Sequence, residues 1–85
     1  MKKGDTVTYK VSSGYRVEAR VLTVHKGGAV SIRALFTLNP DGSRRPGYLG
    51  YRYRVAATSV QEAQALLEDA HAGARVVYEG KDPAP

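Results

Sequence analysis

The 85-residue chain predicts a mostly β, α+β fold: a bent antiparallel sheet of about five strands, curling toward a partial barrel, with one helix between strands 4 and 5. Three observations carry this reading. Apolar and polar residues alternate with period two in several short runs, the pattern of half-buried strands. A Lys26-Gly27-Gly28 step separates two of those runs. Finally, Thr58-Ser59 with Glu62 three residues beyond Ser59 reads as a helix start before a stretch of 3.6-residue periodicity.

Gly4-Asp5 is a turn, after which Val7, Tyr9 and Val11 alternate with Thr6, Thr8 and Lys10 until Ser12-Ser13-Gly14 closes the first strand. Tyr15 to about His25 and Ala29 to Leu38 form the second and third strands, and the glycines between them supply the positive φ a tight hairpin needs. A two-residue Gly27-Gly28 turn pairs His25 with Val30, Thr23 with Ile32, Val21 with Ala34, Ala19 with Phe36 and Val17 with Leu38, all on one face. A slip of one residue would send each apolar set to the opposite side. The same register places Leu22 opposite Arg33, Arg20 opposite Leu35 and Glu18 opposite Thr37, so Leu22, Val24 and Leu35 make a second apolar patch that needs a cover.

Asn39-Pro40-Asp41-Gly42 is a strong turn signal and, with Ser43 to Gly47, makes a loop of about nine residues. The fourth strand runs from Tyr48 to about Ala57. Its alternation sends Leu49, Tyr51, Tyr53 and Val55 to one face and Tyr48, Gly50, Arg52 and Arg54 to the other. Val60, Ala63, Leu67 and Ala70 recur at helical spacing and Gly73 is a natural stop, which predicts a helix over Ser59 to Ala72. Its single apolar side is a candidate cover for the Leu22, Val24, Leu35 patch or for an open end of the curled sheet. Ala74 to Tyr78 alternates as a last short strand. Residues 1–79 therefore read as one domain and 80–85 as a flexible tail.

Composition bounds the function. There is no cysteine, which excludes disulfides and thiolate chemistry and fits a cytoplasmic protein. Met1-Lys2-Lys3 leads into Gly4-Asp5 and not into an apolar run, and no stretch approaches the roughly 18 apolar residues of a membrane span, so a soluble chain at its native start and no membrane partner are expected. The net charge of +5 is unevenly spread. Residues 1–58 hold eleven Lys and Arg against three acids, giving +8, while 59–85 hold two against five, giving −3. Such asymmetry suits a basic body that attracts a polyanion.

The run Lys3-Gly4-Asp5-Thr6-Val7-Thr8-Tyr9, the glycine at 14, the run Ala19-Arg20-Val21-Leu22-Thr23-Val24 and a helical insertion before a short final strand resemble SH3-like small barrels of the KOW and Tudor kind, over about residues 3 to 57. The resemblance implies an SH3-like partial barrel that binds nucleic acid or protein tails through loops and exposed aromatics. The insertion before the last strand, about fourteen residues, is longer than the single turn of that pattern.

The stretch Ser43 to Val55 concentrates the candidate chemistry. Arg44, Arg45, Arg52 and Arg54 are candidate phosphate contacts, with Tyr48 as a stacking ring on the face of Arg52 and Arg54. Arg33 and Arg20, with Lys10 and Arg16, also point outward and extend the surface if strand order brings them alongside. The competing reading is a solvated basic face. Tyr9, Tyr51, Tyr53 and Tyr78 share apolar faces and belong to the core, while Tyr15 fits either role. His25 and His71 have no metal-ligand spacing, and His71 suits a helix C-terminus. No serine, histidine and carboxylate converge by motif, so no catalytic residue, metal or cofactor is assigned and an enzyme is not expected. The expected partner is nucleic acid, DNA or RNA, held by its phosphates. The alternative is an adaptor or inhibitor of a phage or mobile-element type that docks on an acidic protein partner, and a homo-oligomer through a sheet edge is compatible with a chain of this size.

Overall fold

Five antiparallel strands form one open sheet in chain order: β1 (Thr6–Lys10), β2 (Arg16–Val24), β3 (Val30–Leu38), β4 (Tyr51–Val55) and β5 (Val76–Lys81). The computed structural model describes residues 1–11, 13–69 and 72–84; the expectations that fall on Ser12, Ala70, His71 and Pro85 lie outside the described residues. A single helix, α1 (Val60–Glu68), stands between β4 and β5, and a 3-10 turn over Ala72–Arg75 leads into the last strand. No described helix is long and apolar enough to cross a membrane.

The core lies between α1 and one face of the sheet. Val17, Ala19 and Val21 of β2, Val30, Ile32 and Ala34 of β3, and Val55 of β4 are buried there, together with Ala63 and Leu67 of α1. Burying a leucine such as Leu67 contributes about 1.5–3 kcal/mol. The helix thus covers the Val21, Ile32, Val55 face, and of the expected Leu22, Val24, Leu35 patch Val24 alone packs against that core.

The reason is a corrected register. The β2–β3 loop holds three residues, Lys26-Gly27-Gly28, closed by His25 N–H donating to Ala29 O at 2.7 Å. Val24 therefore faces Val30, one residue off the two-residue turn. Two irregularities then shift the ladder: Leu22 is skipped between the Val21–Ile32 and Thr23–Ser31 pairs, and Leu35 between Ala19–Ala34 and Glu18–Phe36. Each extra residue flips the remainder of its strand to the other face. Val24 consequently joins the core, whereas Phe36, expected beside Ala19, moves to the helix-free face beside Glu18. Arg20 faces Arg33 in place of Leu35.

The sheet is coiled. Tyr9 on β1 and Tyr53 on β4 meet edge-on with ring centroids 6.4 Å apart, although β2 and β3 lie between them. In a flat sheet those strands would stand about 14 Å apart.

The helix begins as the sequence predicts. Ser59 caps it by accepting from Glu62 N–H at 3.0 Å, and Glu62 Oε2 accepts from Thr58 N–H at 2.7 Å and from the Thr58 hydroxyl at 2.6 Å. It ends at Glu68, short of the expected Ala72, where Asp69 turns extended. Glu68 lies at the negative end of the helix dipole, and the last turn of the helix carries no basic residue.

β5 reaches Lys81, three residues past its expected end, and Asp82 N–H donates to Gly50 O at 2.8 Å. The segment 80–82 is thus part of the sheet assembly. Tyr78, expected in the core, is 57% exposed on the edge strand β5, of which Val76 is the hydrophobic residue that packs against the core among the described residues. Tyr51, Tyr53 and Tyr78 instead pack on one another, with ring centroids 5.8–6.4 Å apart.

Candidate nucleic-acid interface

The face of the sheet away from α1 carries the arginines. Chain-order pairing puts Arg20 opposite Arg33 and Arg33 opposite Arg52, a row of three guanidinium-bearing residues on adjacent strands. The row spans about 10 Å at ordinary strand spacing. Arg54 lies two residues along β4 on the same face, opposite Ser31. On the outer side of β2, Arg16 faces Lys10 and donates to Thr8 Oγ1 at 2.8 Å. Strand order turns the expected outward phasing of Arg20, Arg33, Arg52 and Arg54 into one surface, whereas Arg16 lines a cavity with Gln64, Leu67 and Glu68 of α1.

Like charges opposed across a ladder repel. One carboxylate offsets the middle of the row: Asp82 Oδ2 lies 2.6 Å from Arg33 Nη2, and Asp82 Oδ1 lies 3.1 Å from Arg52 Nε. The second approach is electrostatic without hydrogen-bond alignment, since Arg52 Nε, like Arg33 Nε, is buried with no hydrogen-bond partner among the described residues. Arg20 and Arg54 form no ion pair among the described residues.

Two glycines make the seat of Asp82. A Cβ on Gly50, where φ is +76°, would come within 2.5 Å of Asp82 O, and one on Gly80 would meet Arg52 Nη2 at 2.9 Å. Gly80 lets Arg52 lie across β5, and Gly50 lets the chain bring Asp82 to it.

At the loop side, Arg44 grips Glu18 in two-pronged fashion, Nε to Oε1 at 3.0 Å and Nη2 to Oε2 at 2.8 Å. Its guanidinium carbon sits 5.0 Å from the centre of the Phe36 ring, and Tyr48 meets Phe36 edge-on at 6.1 Å. The hydrogen bonds and charge of Glu18 raise the Arg44 pKa further. Glu18 is shielded while the Arg44 side chain remains 61% exposed, so its outer N–H groups still face solvent. Tyr48 is half-buried and part of this cluster, which makes it a packing ring more than the free stacking platform expected of it.

Arg45 stands apart from the row. It lies over the ring of Tyr15 at 5.3 Å, and its N–H donates to Thr37 O, which fixes it at the loop end of the sheet. Of the seven residues singled out from sequence, Arg20, Arg33, Arg52 and Arg54 thus share one surface, Arg44 and Tyr48 border it, and Arg45 serves another contact. Sequence reasoning placed Glu18 on this face without its Arg44 partner and missed Asp82 and Phe36. Asp82 has no sequence signal, whereas Phe36 depended on the bulge at Leu35.

His25 Nε2 is 2.8 Å from Ser31 Oγ beneath this face. That contact satisfies a buried hydroxyl.

Comparison with protein-family models, curated proteins and solved structures finds no match for this chain.

Proposed function

We propose that this chain is a non-catalytic binding module that holds nucleic-acid backbone phosphates on the helix-free face of its sheet. The observation that carries the reading is the Arg20–Arg33–Arg52 row with Arg54 beside it, four cations that meet one carboxylate, that of Asp82, among the described residues. Such a row destabilises the free protein and is relieved by a polyanion, since guanidinium forks match phosphate oxygens and leave few donors unpaired. Arg44 and its Phe36 neighbour extend the surface at the loop side. The resemblance of Lys3–Tyr9 and Ala19–Val24 to KOW and Tudor domains is compatible with this partner, as it is with a protein tail. DNA and RNA both present the phosphates this face would hold, and such contacts carry no base-sequence preference of their own.

Binding of labelled single-stranded and duplex oligonucleotides, compared between the parent chain and an Arg20→Ala, Arg54→Ala variant, tests it. Neither substitution breaks an ion pair among the described residues, so thermal unfolding should change little. Removing two phosphate contacts should weaken binding at about 50 mM salt by roughly tenfold or more. Equal affinity of parent and variant removes the reading.

The edge strand β5 favours a second reading. Val77 and Tyr78 are 52% and 57% exposed, and exposed apolar residues on a sheet edge suit a protein partner, including a second copy. An Arg20, Arg54 variant that loses nucleic acid but still retains a stoichiometric protein after nuclease treatment would support it.

A further inference from the structure

We infer that the Arg33–Arg52 notch is a phosphate subsite held in the free protein by an internal stand-in, the carboxylate of Asp82, which a bound nucleic acid displaces. The inference rests on the proposed binding face and adds to it a named subsite and its control.

Four features point to a stand-in. Two arginines from neighbouring strands converge on one carboxylate, at 2.6 and 3.1 Å, so the notch keeps a net positive charge even when filled. The fit is incomplete: the Nε groups of both arginines are buried without a hydrogen-bond partner among the described residues. A carboxylate offers two oxygens in one plane, whereas a phosphate offers its oxygens tetrahedrally and can serve both forks. The side chains stay reachable, since Arg33 and Arg52 are 35% and 41% exposed. Finally, Asp82 comes from the segment just past β5 and is tied to the sheet by the backbone bond from Asp82 N–H to Gly50 O. That segment can lift without opening the core, whose buried residues lie on the other face.

The consequence is competition. Each nucleic-acid phosphate that enters the notch must displace Asp82, so the parent chain binds more weakly than the same face without that carboxylate. Asp82→Asn keeps the shape and removes the charge.

The test is the affinity of a single-stranded oligothymidylate for the parent chain and for D82N across a salt series. D82N should bind about fivefold tighter or more, the usual lower range for coupled sites. Its log–log salt slope should match that of the parent, because the same phosphates are neutralised in both complexes. In the unmodified protein, the Asp82 carboxyl carbon and the Arg33 and Arg52 Nε resonances should all shift on saturation, which keeps the test decisive should D82N fold poorly. Parent binding with equal D82N affinity, or with those resonances unmoved while Arg20 shifts, overturns the subsite and leaves the binding face standing. Absence of binding by both proteins overturns both.

Discussion

Arg33 and Arg52 stand directly opposite one another on β3 and β4, and both guanidinium groups converge on Asp82. Cross-strand partners of like charge are unfavourable, so this pair is held together by a residue that neither strand supplies. Asp82→Asn should lower stability by only about 0.2–1 kcal/mol, because all three side chains are partly exposed. The loss should shrink in high salt, and Arg52→Gln in the same chain should recover it. Urea unfolding of the single and double variants at two salt concentrations measures both effects.

The hairpin glycines are not equivalent. A Cβ on Gly28 would lie 2.3 Å from the backbone of Ser59, whereas one on Gly27 would meet nothing within 4 Å; both have positive φ. Gly27→Ala should therefore cost about 1–2 kcal/mol, the ordinary penalty of a left-handed residue. Gly28→Ala should cost more than about 3 kcal/mol or prevent folding, because it also drives the β2–β3 turn away from the helix cap. Denaturant midpoints of the two variants decide the order.

Acid should loosen the start of α1. Hydrogen bonds from the Thr58 side chain and backbone, with Arg75 beside them, hold the Glu62 carboxyl below its usual value of 4.5. A carboxyl depressed in the folded state contributes stability above its unfolded pKa and loses it as pH falls through the folded one. Helix content should decline below about pH 4.5, and Glu62→Gln should flatten that part of the profile. Circular dichroism across the acid range checks this.

At the alkaline end the sign reverses in pH. Burial first, then the neighbouring Tyr53, pushes the Tyr9 phenol well above its ordinary 10. The unfolded chain ionises at about pH 10 while the folded one keeps its proton, so stability falls as pH rises past that point. Tyr9→Phe should retain more of its stability between about pH 10 and 11 than the parent does, read from thermal unfolding at each pH.

Strands and helix are legible in the sequence because period-two alternation and the Ser59–Glu62 cap are local signals. The two-face division of β4 is equally legible, and Arg52 and Arg54 share a face opposite Tyr53 and Val55 as alternation requires. Register is not. Gly27-Gly28 suits two- and three-residue loops alike, and the skipped Leu22 and Leu35 look like any strand leucine, so unbroken alternation sends Phe36 to the wrong face. The adjacency of Arg20, Arg33 and Arg52 requires strand order, which no single segment encodes. Asp82 lies in a polar segment without periodicity. Its role depends on Gly50 and Gly80, two glycines whose missing side chains leave room for a contact made by residues far away in sequence.

The central claim, that the helix-free face binds a polyanion through its arginines, is tested most directly by the salt dependence of oligonucleotide affinity. With about four phosphates neutralised, log Kd against log salt should change with a magnitude near 3 for single strands and between 3 and 4 for duplex. That slope should fall by about 1.4 for single strands in the Arg20→Ala, Arg54→Ala variant. A slope near zero, or one identical in parent and variant, contradicts the account.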